Sequence, residues 1–249
     1  MTKLYHGTTA AILDRIQAEG LAPRSISKGK SNWKHSVESN KDAVYLTNCY
    51  AWHFAASATK NGGLGLILEI DKVHLSPWLL CPDEDTMEQA TRQQGPTDKY
   101  PNLAPIEWSM EKRTKFYRKN ACHNPQMTDA CLDVMGTCGY YGTIPWSAIT
   151  RYVLIDWKQL DLYWSIRAVD SMVSIINYKI LADRHKAFTR WFFDDSVTAE
   201  ELTGNVLWRQ GSGDLESNKR LHEQDEMMMV KMRQRDGITI VNCKQTEDA

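Results

Sequence analysis

Leu4-Tyr5-His6-Gly7-Thr8-Thr9 is the stretch from which the rest of this chain is best read. Lys3–Tyr5 starts as a strand and runs into His-Gly-Thr. Thr9 then stands as an N-cap, and Ile12, Leu13 and Ile16 fall on one face of a helix from Ala10 to Glu19. Gly20 suits the position just past that helix, before Leu21-Ala22-Pro23. Further on, Ala43-Val44-Tyr45-Leu46-Thr47 has strand character from Val44 to Thr47. A strand ending in His-Gly-Thr, a helix, and a second strand with an inward Tyr would form one edge of a nucleotide pocket.

Working outward, residues 24–42 are polar and read as a loop. Tyr50 to Thr59 is a small-residue helix, with Ala51, Phe54, Ala55 and Ala58 inward. Leu64 to Ile70 is a continuous apolar run, which predicts a central strand. Residues 81–107, studded with proline, read as a loop. Tyr140 to Ile144 and Tyr152 to Ile155 read as strands around the turn Pro145-Trp146-Ser147-Ala148-Ile149. Beyond about Trp157 the texture turns helical. Helices are expected over Ile166 to Phe193, Thr198 to Trp208 (Thr198 and Glu201 forming a capping box) and Ser217 to Arg235, then a terminal strand within Gly237 to Cys243.

The 249 residues are 42% hydrophobic and 24% charged, the balance of an ordinary folded domain able to bury a core. A net charge of −1 gives no global pull toward nucleic acid or membrane. No apolar run approaches the ~18 residues of a membrane span, and no h-region opens the chain. The six Cys lack a zinc spacing, and Cys122, His123, Cys131 and Cys138 fit no strong metal pattern. The expectation is a cytoplasmic protein with free thiols and no metal. A Ser/His/Asp triad finds no nucleophile-elbow motif.

His6 at a strand end could simply cap it, and Tyr45 could be a core residue; each strengthens the functional reading of the other. Together, Tyr-His-Gly-Thr, the helix with Gly-Leu-x-Pro, and the strand with Tyr45 resemble the opening half of the ADP-ribosyltransferase superfamily, in its H-Y (diphtheria-toxin-like and poly(ADP-ribose) polymerase-like) branch. Tyr140 to Ile149 resembles the late strand-and-turn of bacterial and phage members that act on nucleic acid. The resemblance covers roughly residues 1–156. It implies an α+β fold, a split and mainly antiparallel sheet with flanking helices and an NAD cleft between its halves. Residues 157–249 would then be a helical extension offering a surface to a partner protein such as an antitoxin.

The resemblance also implies roles. His6 would orient the ribose next to nicotinamide, and Tyr45 would stack on the nicotinamide ring. Tyr5, Gly7, Thr8 and Thr47 would line the cofactor strand end. Many members carry a Glu on a later strand, beside the sugar cation formed as nicotinamide leaves. Counting back from Pro145 puts that position near Thr137, which is not acidic. Asp133 is the nearest acid and is taken as the candidate; Glu107 and Glu111 lie further away.

A stretch before that strand is basic and aromatic: Trp108, Lys112, Arg113, Lys115, Phe116, Tyr117, Arg118 and Lys119. Cations track phosphates and rings stack on bases, so these residues are expected on single-stranded nucleic acid. Arg24, Lys28, Lys30 and Lys34, with Trp33 among them, form a second basic stretch. Both could equally be solvated loops. The expected activity is NAD-dependent ADP-ribosylation of an RNA or single-stranded DNA base, by a toxin of a toxin–antitoxin or phage-defence system. The alternatives are a protein acceptor, or a degenerate member that only binds NAD or a partner. An RNA 2′-phosphotransferase, which shares the fold, would need more arginines.

Overall fold

A computed structural model describes residues 3–28, 38–59, 62–93, 95–98, 101–120, 125–160, 186, 188–198, 230 and 233–243. Its strands are β1 (Lys3–Thr9), β2 (Val44–Thr47), β3 (Gly65–Asp71), β4 (Leu80–Pro82), β5 (Thr137–Tyr140), β6 (Ile149–Ile155) and β7 (Ile238–Asn242). Its helices are α1 (Leu13–Glu19), α2 (Arg24–Ser27), α3 (Ala51–Ala58), α4 (Glu84–Ala90), α5 (Met110–Asn120), α6 (Pro125–Val134) and α7 (Trp157–Leu160), with a further helical segment over 188–193. The strands form one sheet in the order β4-β5-β2-β1-β3-β6-β7, antiparallel at every pairing. This is a mixed α and β architecture, in agreement with the α+β class. Among the described residues no helix is long and apolar enough to cross a membrane.

β3 is buried on both faces, which is why it reads as an unbroken apolar run. Alternation along the strands feeds two cores. Tyr5, Ile67, Val153 and Ile155 face Ala51, Trp52 and Ala55 of α3 together with Phe188, Trp191 and Phe192. Leu4, Leu46, Leu66, Leu68 and Ile70 face Ile16 of α1, Leu21, Ile144 and Ala148. The described parts of 157–249 are thus integral to this sheet: residues 188–193 complete one core and β7 pairs with β6. The helices expected over Thr198 to Trp208 and Ser217 to Arg235 lie almost wholly outside the described residues, as does most of that over Ile166 to Phe193.

β1 pairs with β3 along its whole length, but with β2 at one position, Tyr5 opposite Thr47. Past that point the two strands part, and the sheet opens beside His6 and Gly7.

Four stretches differ from their sequence expectation, the first being residues 24–42, which open with helix α2 where a loop was expected. Residues 81–107 are not all loop: β4 and α4 occupy their first part. Pro82 is tolerated because β4 is an edge strand, and Asp83 caps α4 by accepting from the amides of Asp85 and Thr86. The basic stretch is helix α5. The late strand begins and ends earlier than Tyr140 to Ile144, and Ile144 makes an isolated bridge to Leu21.

Candidate functional site

His6 sits where β1 and β2 part. Its Nδ1 lies 2.9 Å from the carbonyl oxygen of Tyr45. A carbonyl can only accept, so Nδ1 carries the proton and Nε2 is left as an acceptor. Burial lowers the pKa of the imidazole, partly offset by the Tyr45 carbonyl, so the ring is neutral at pH 7. The ring bridges a gap in the strand pairing, and its other edge can receive a hydroxyl donor.

The register separates the two motif side chains. Tyr5, opposite Thr47, shares a sheet face with Thr47 and hence with Tyr45, two residues along β2. His6 faces the other way, with Leu4. The two are joined through the Tyr45 backbone, not ring to ring. The face of Gly7 is filled by helix α3: a Cβ there would lie 1.8 Å from the Ala51 carbonyl oxygen. Packing against α3 is therefore sufficient reason for glycine at this position.

The Tyr45 hydroxyl donates to Glu84 Oε1 at 2.6 Å and accepts from the Asn40 amide at 2.8 Å. The same carboxylate oxygen takes the Arg118 guanidinium at 3.1 Å and the Asn40 amide at 3.3 Å. Asn40 Nδ2 reaches the Tyr141 hydroxyl at 2.5 Å. Glu84 is almost wholly buried, and Arg118 supplies the opposite charge that makes such burial tolerable. Burial first, and then the charges of Glu84, Asp83 and Asp85, push the Tyr45 phenol far above its ordinary pKa. It is a fixed donor to Glu84 at any physiological pH.

Two more acids flank Glu84. Burial and the neighbouring Glu84 raise Asp83 to about 6, against hydrogen bonds from Thr86 and Thr137. Burial, Asp83 and Glu84 raise Asp85 to about 7, opposed by Arg118. Pro82 pairs with Cys138, which sets Asp83 beside Thr137 at the end of the ladder. Thr86 Oγ1 lies 2.9 Å from Thr137 Oγ1. Asp133, the acid taken from the sequence, is exposed near the end of α6. The carboxylate bonded to Tyr45 is instead Glu84, from an element that the prolines had disguised as loop. One signal pointed to it: Asp83-Glu84-Asp85-Thr86 carries an N-cap residue and an acidic first turn.

Other expected residues divide between surface and interior. Tyr5 is buried with its ring 5.2 Å from that of Phe193. Thr47 is buried, donating to the Gly136 carbonyl at 2.6 Å and accepting from the amides of Cys49 and Tyr50. Thr8 is buried as well. On α5, Arg113 and Tyr117 are not placed to touch nucleic acid. Arg113 is buried, with hydrogen bonds to the carbonyls of Thr91, Ala104 and Pro105. The Tyr117 hydroxyl bonds Thr91 Oγ1 at 2.6 Å and the Ala104 amide at 3.1 Å. Both hold the segment after α4 against α5. Lys112 and Lys115 are exposed, and Trp108 and Phe116 half-buried. Lys112 lies over the Trp108 ring at 3.9 Å, and Lys115 pairs with Glu111 at 2.6 Å. In the other basic stretch, Arg24 pairs with Glu38 at 2.9 Å; Trp33, Lys30 and Lys34 lie outside the described residues. Among the described residues no group of His, Cys, Asp or Glu is placed to hold a metal ion.

Scanned against protein-family models and against the curated proteins, the chain matches none.

Proposed function

We propose that the chain is an NAD-dependent ADP-ribosyltransferase acting on a base of single-stranded nucleic acid. The observation that carries this is the junction of β1 and β2. The sheet opens there, His6 is locked in the tautomer that leaves Nε2 as an acceptor, and the carbonyl that locks it belongs to Tyr45. A ribose presents hydroxyl donors, which suit a neutral acceptor nitrogen. The Tyr45 phenol is bonded to the buried Glu84, so an anionic group stands beside the residue to which the resemblance gives the nicotinamide.

In the reaction, the glycosidic C–N bond of NAD breaks and nicotinamide leaves with the electron pair. An acceptor nitrogen or oxygen forms a new bond to the anomeric carbon and releases its proton to solvent or a carboxylate. Glu84 acts through Tyr45: it holds the phenol in place, and with it the strand whose carbonyl fixes His6.

The test is direct. The protein is incubated with labelled NAD and, separately, single-stranded RNA, single-stranded DNA and protein lysate. Label on an oligonucleotide supports the proposal, and label on protein alone moves the acceptor to a side chain. NAD binding without nicotinamide release would mean a non-catalytic member, for which Thr137 in the expected acid position speaks. His6→Ala and Glu84→Gln are each expected to cut turnover by a factor of ~100 or more. Full activity in both would remove this site from the reaction.

A further inference from the structure

We infer that the open cavity beside the Tyr45–Glu84 network receives one base of the acceptor strand, with the strand's phosphates along α5. The inference rests on the transferase assignment and adds the place where the acceptor sits.

The cavity has a volume of about 460 Å³ and is lined by residues 38–42, Arg118 and Tyr141. That size falls within the range of small-molecule sites. Its charges largely balance. Glu38 pairs with Arg24, Arg118 pairs with Glu84, and Lys41 and Asp42 are adjacent residues of opposite sign. A balanced polar cavity suits an uncharged heterocycle with a hydrogen-bonding edge. It does not suit the ADP half of NAD, which would bring two phosphate charges into it. Asp42 and Ser39 offer acceptors to ring amines, and the half-buried Tyr141 offers an aromatic wall for stacking.

The phosphates of such a ligand meet cations outside the cavity. Arg118 is part of α5, and the same helix exposes Lys112, Lys115 and Lys119. Its eleven residues, Met110 to Asn120, span ~16 Å, enough to follow more than one phosphate of an extended strand. Asn40 links the cavity to the reacting centre. Its side chain bonds Tyr141 while its amide bonds the Tyr45 hydroxyl, so a base against Tyr141 is one residue from Tyr45.

Binding of fluorescein-labelled single-stranded DNA and RNA to the full chain, followed by anisotropy across a salt series, tests this. Tyr141→Leu should weaken binding on the order of tenfold, and Tyr141→Phe should stay within about twofold. Lys112→Glu and Lys119→Glu on α5 are surface changes that leave the core untouched; each should lower the salt slope by ~0.7 or more. Unlabelled ADP should fail to displace the strand. Displacement by ADP would assign the cavity to NAD and overturn the inference. So would wild-type binding in all the variants, tighter binding of duplex than of single strands, or no binding of single strands at low salt. Nicotinamide release from NAD is measured alongside. Lost release with variant-sensitive strand binding would sink the transferase and leave the base site standing. Release with variant-insensitive binding would do the reverse.

Discussion

Replacing Gly7 by alanine separates two reasons for a glycine in the His-Gly-Thr motif. The added Cβ would lie 1.8 Å from the Ala51 carbonyl oxygen and 2.7 Å from the Ala55 amide nitrogen. A carbon and an oxygen pack at ~3.3 Å or more, so α3 must retreat by on the order of 1.5 Å. The obstacle is helix backbone, which cannot rotate aside. Ala51, Trp52 and Ala55 would be drawn away from Tyr5 and Ile67, which they cover. Overpacking of this kind costs ~1–3 kcal/mol, and a backbone obstacle puts Gly7→Ala at the upper end. For a chain of this length ~3 kcal/mol lowers Tm by roughly 6–12 °C. Thermal unfolding followed by circular dichroism measures it. An unchanged Tm would refute the packing argument. An unchanged Tm with lost NAD turnover would place the ligand, and not α3, against Gly7.

Other changes have equally definite outcomes. Arg113→Met leaves Glu88 without its buried neighbour and three carbonyls without their donor, and should cost ~3–5 kcal/mol by denaturant titration while the salt slope of oligonucleotide binding stays put. A lowered slope with intact stability would put Arg113 on the nucleic-acid surface after all. Tyr45→Phe removes a hydrogen bond to a buried carboxylate that keeps Arg118 and the Asn40 amide, so a loss of ~1.5–3 kcal/mol is expected from the same titration. Stability should also respond to pH through the two raised acids. In the folded chain Asp83 and Asp85 hold their protons to about 6 and about 7, against 3.8 for the free side chain. The folded state then binds more protons than the unfolded one, so their contribution falls as pH rises from about 4 to about 7. His6, lowered by burial, works in the opposite sense: its share is present above the unfolded pKa of 6.5 and is lost as pH falls through the folded value. Asp85→Asn removes one carboxylate from this balance, so its stability relative to wild type should be greater at pH 8 than at pH 5. Equal differences at the two pH values would mean that Asp85 is not perturbed.

Much of the sheet was legible from local pattern. Leu64 to Ile70 needed only its apolar run to be central, and Thr9 and Gly20 bracketed the first helix. Thr9 accepts from the Ala11 amide, and Gly20 has φ 81° with its amide on the Ile16 carbonyl. These features depend on neighbours a few residues away, so a linear string carries them. The α4 start was legible in the same way, but the prolines around it outweighed the cap; Pro82 is harmless there because β4 lies at the sheet edge, a fact of topology.

The candidate site was legible only as a list of residue types. His6 and Tyr45 stood out, yet the sequence could not say that they point to opposite faces and meet through a carbonyl. Nor could it single out Glu84, one of three consecutive acids in a stretch read as loop, as the carboxylate bonded to Tyr45. The choice is made by strand pairing, which brings Asp83 beside Thr137 and carries Glu84 to the Tyr45 hydroxyl. Arg113 shows the same limit from the other side. A cation in a basic stretch looks solvent-facing until the carbonyls that surround it, eight to twenty-two residues away, are in place. Periodicity and capping are short-range and survive in one dimension. Burial of charge is decided by partners that only the folded chain assembles.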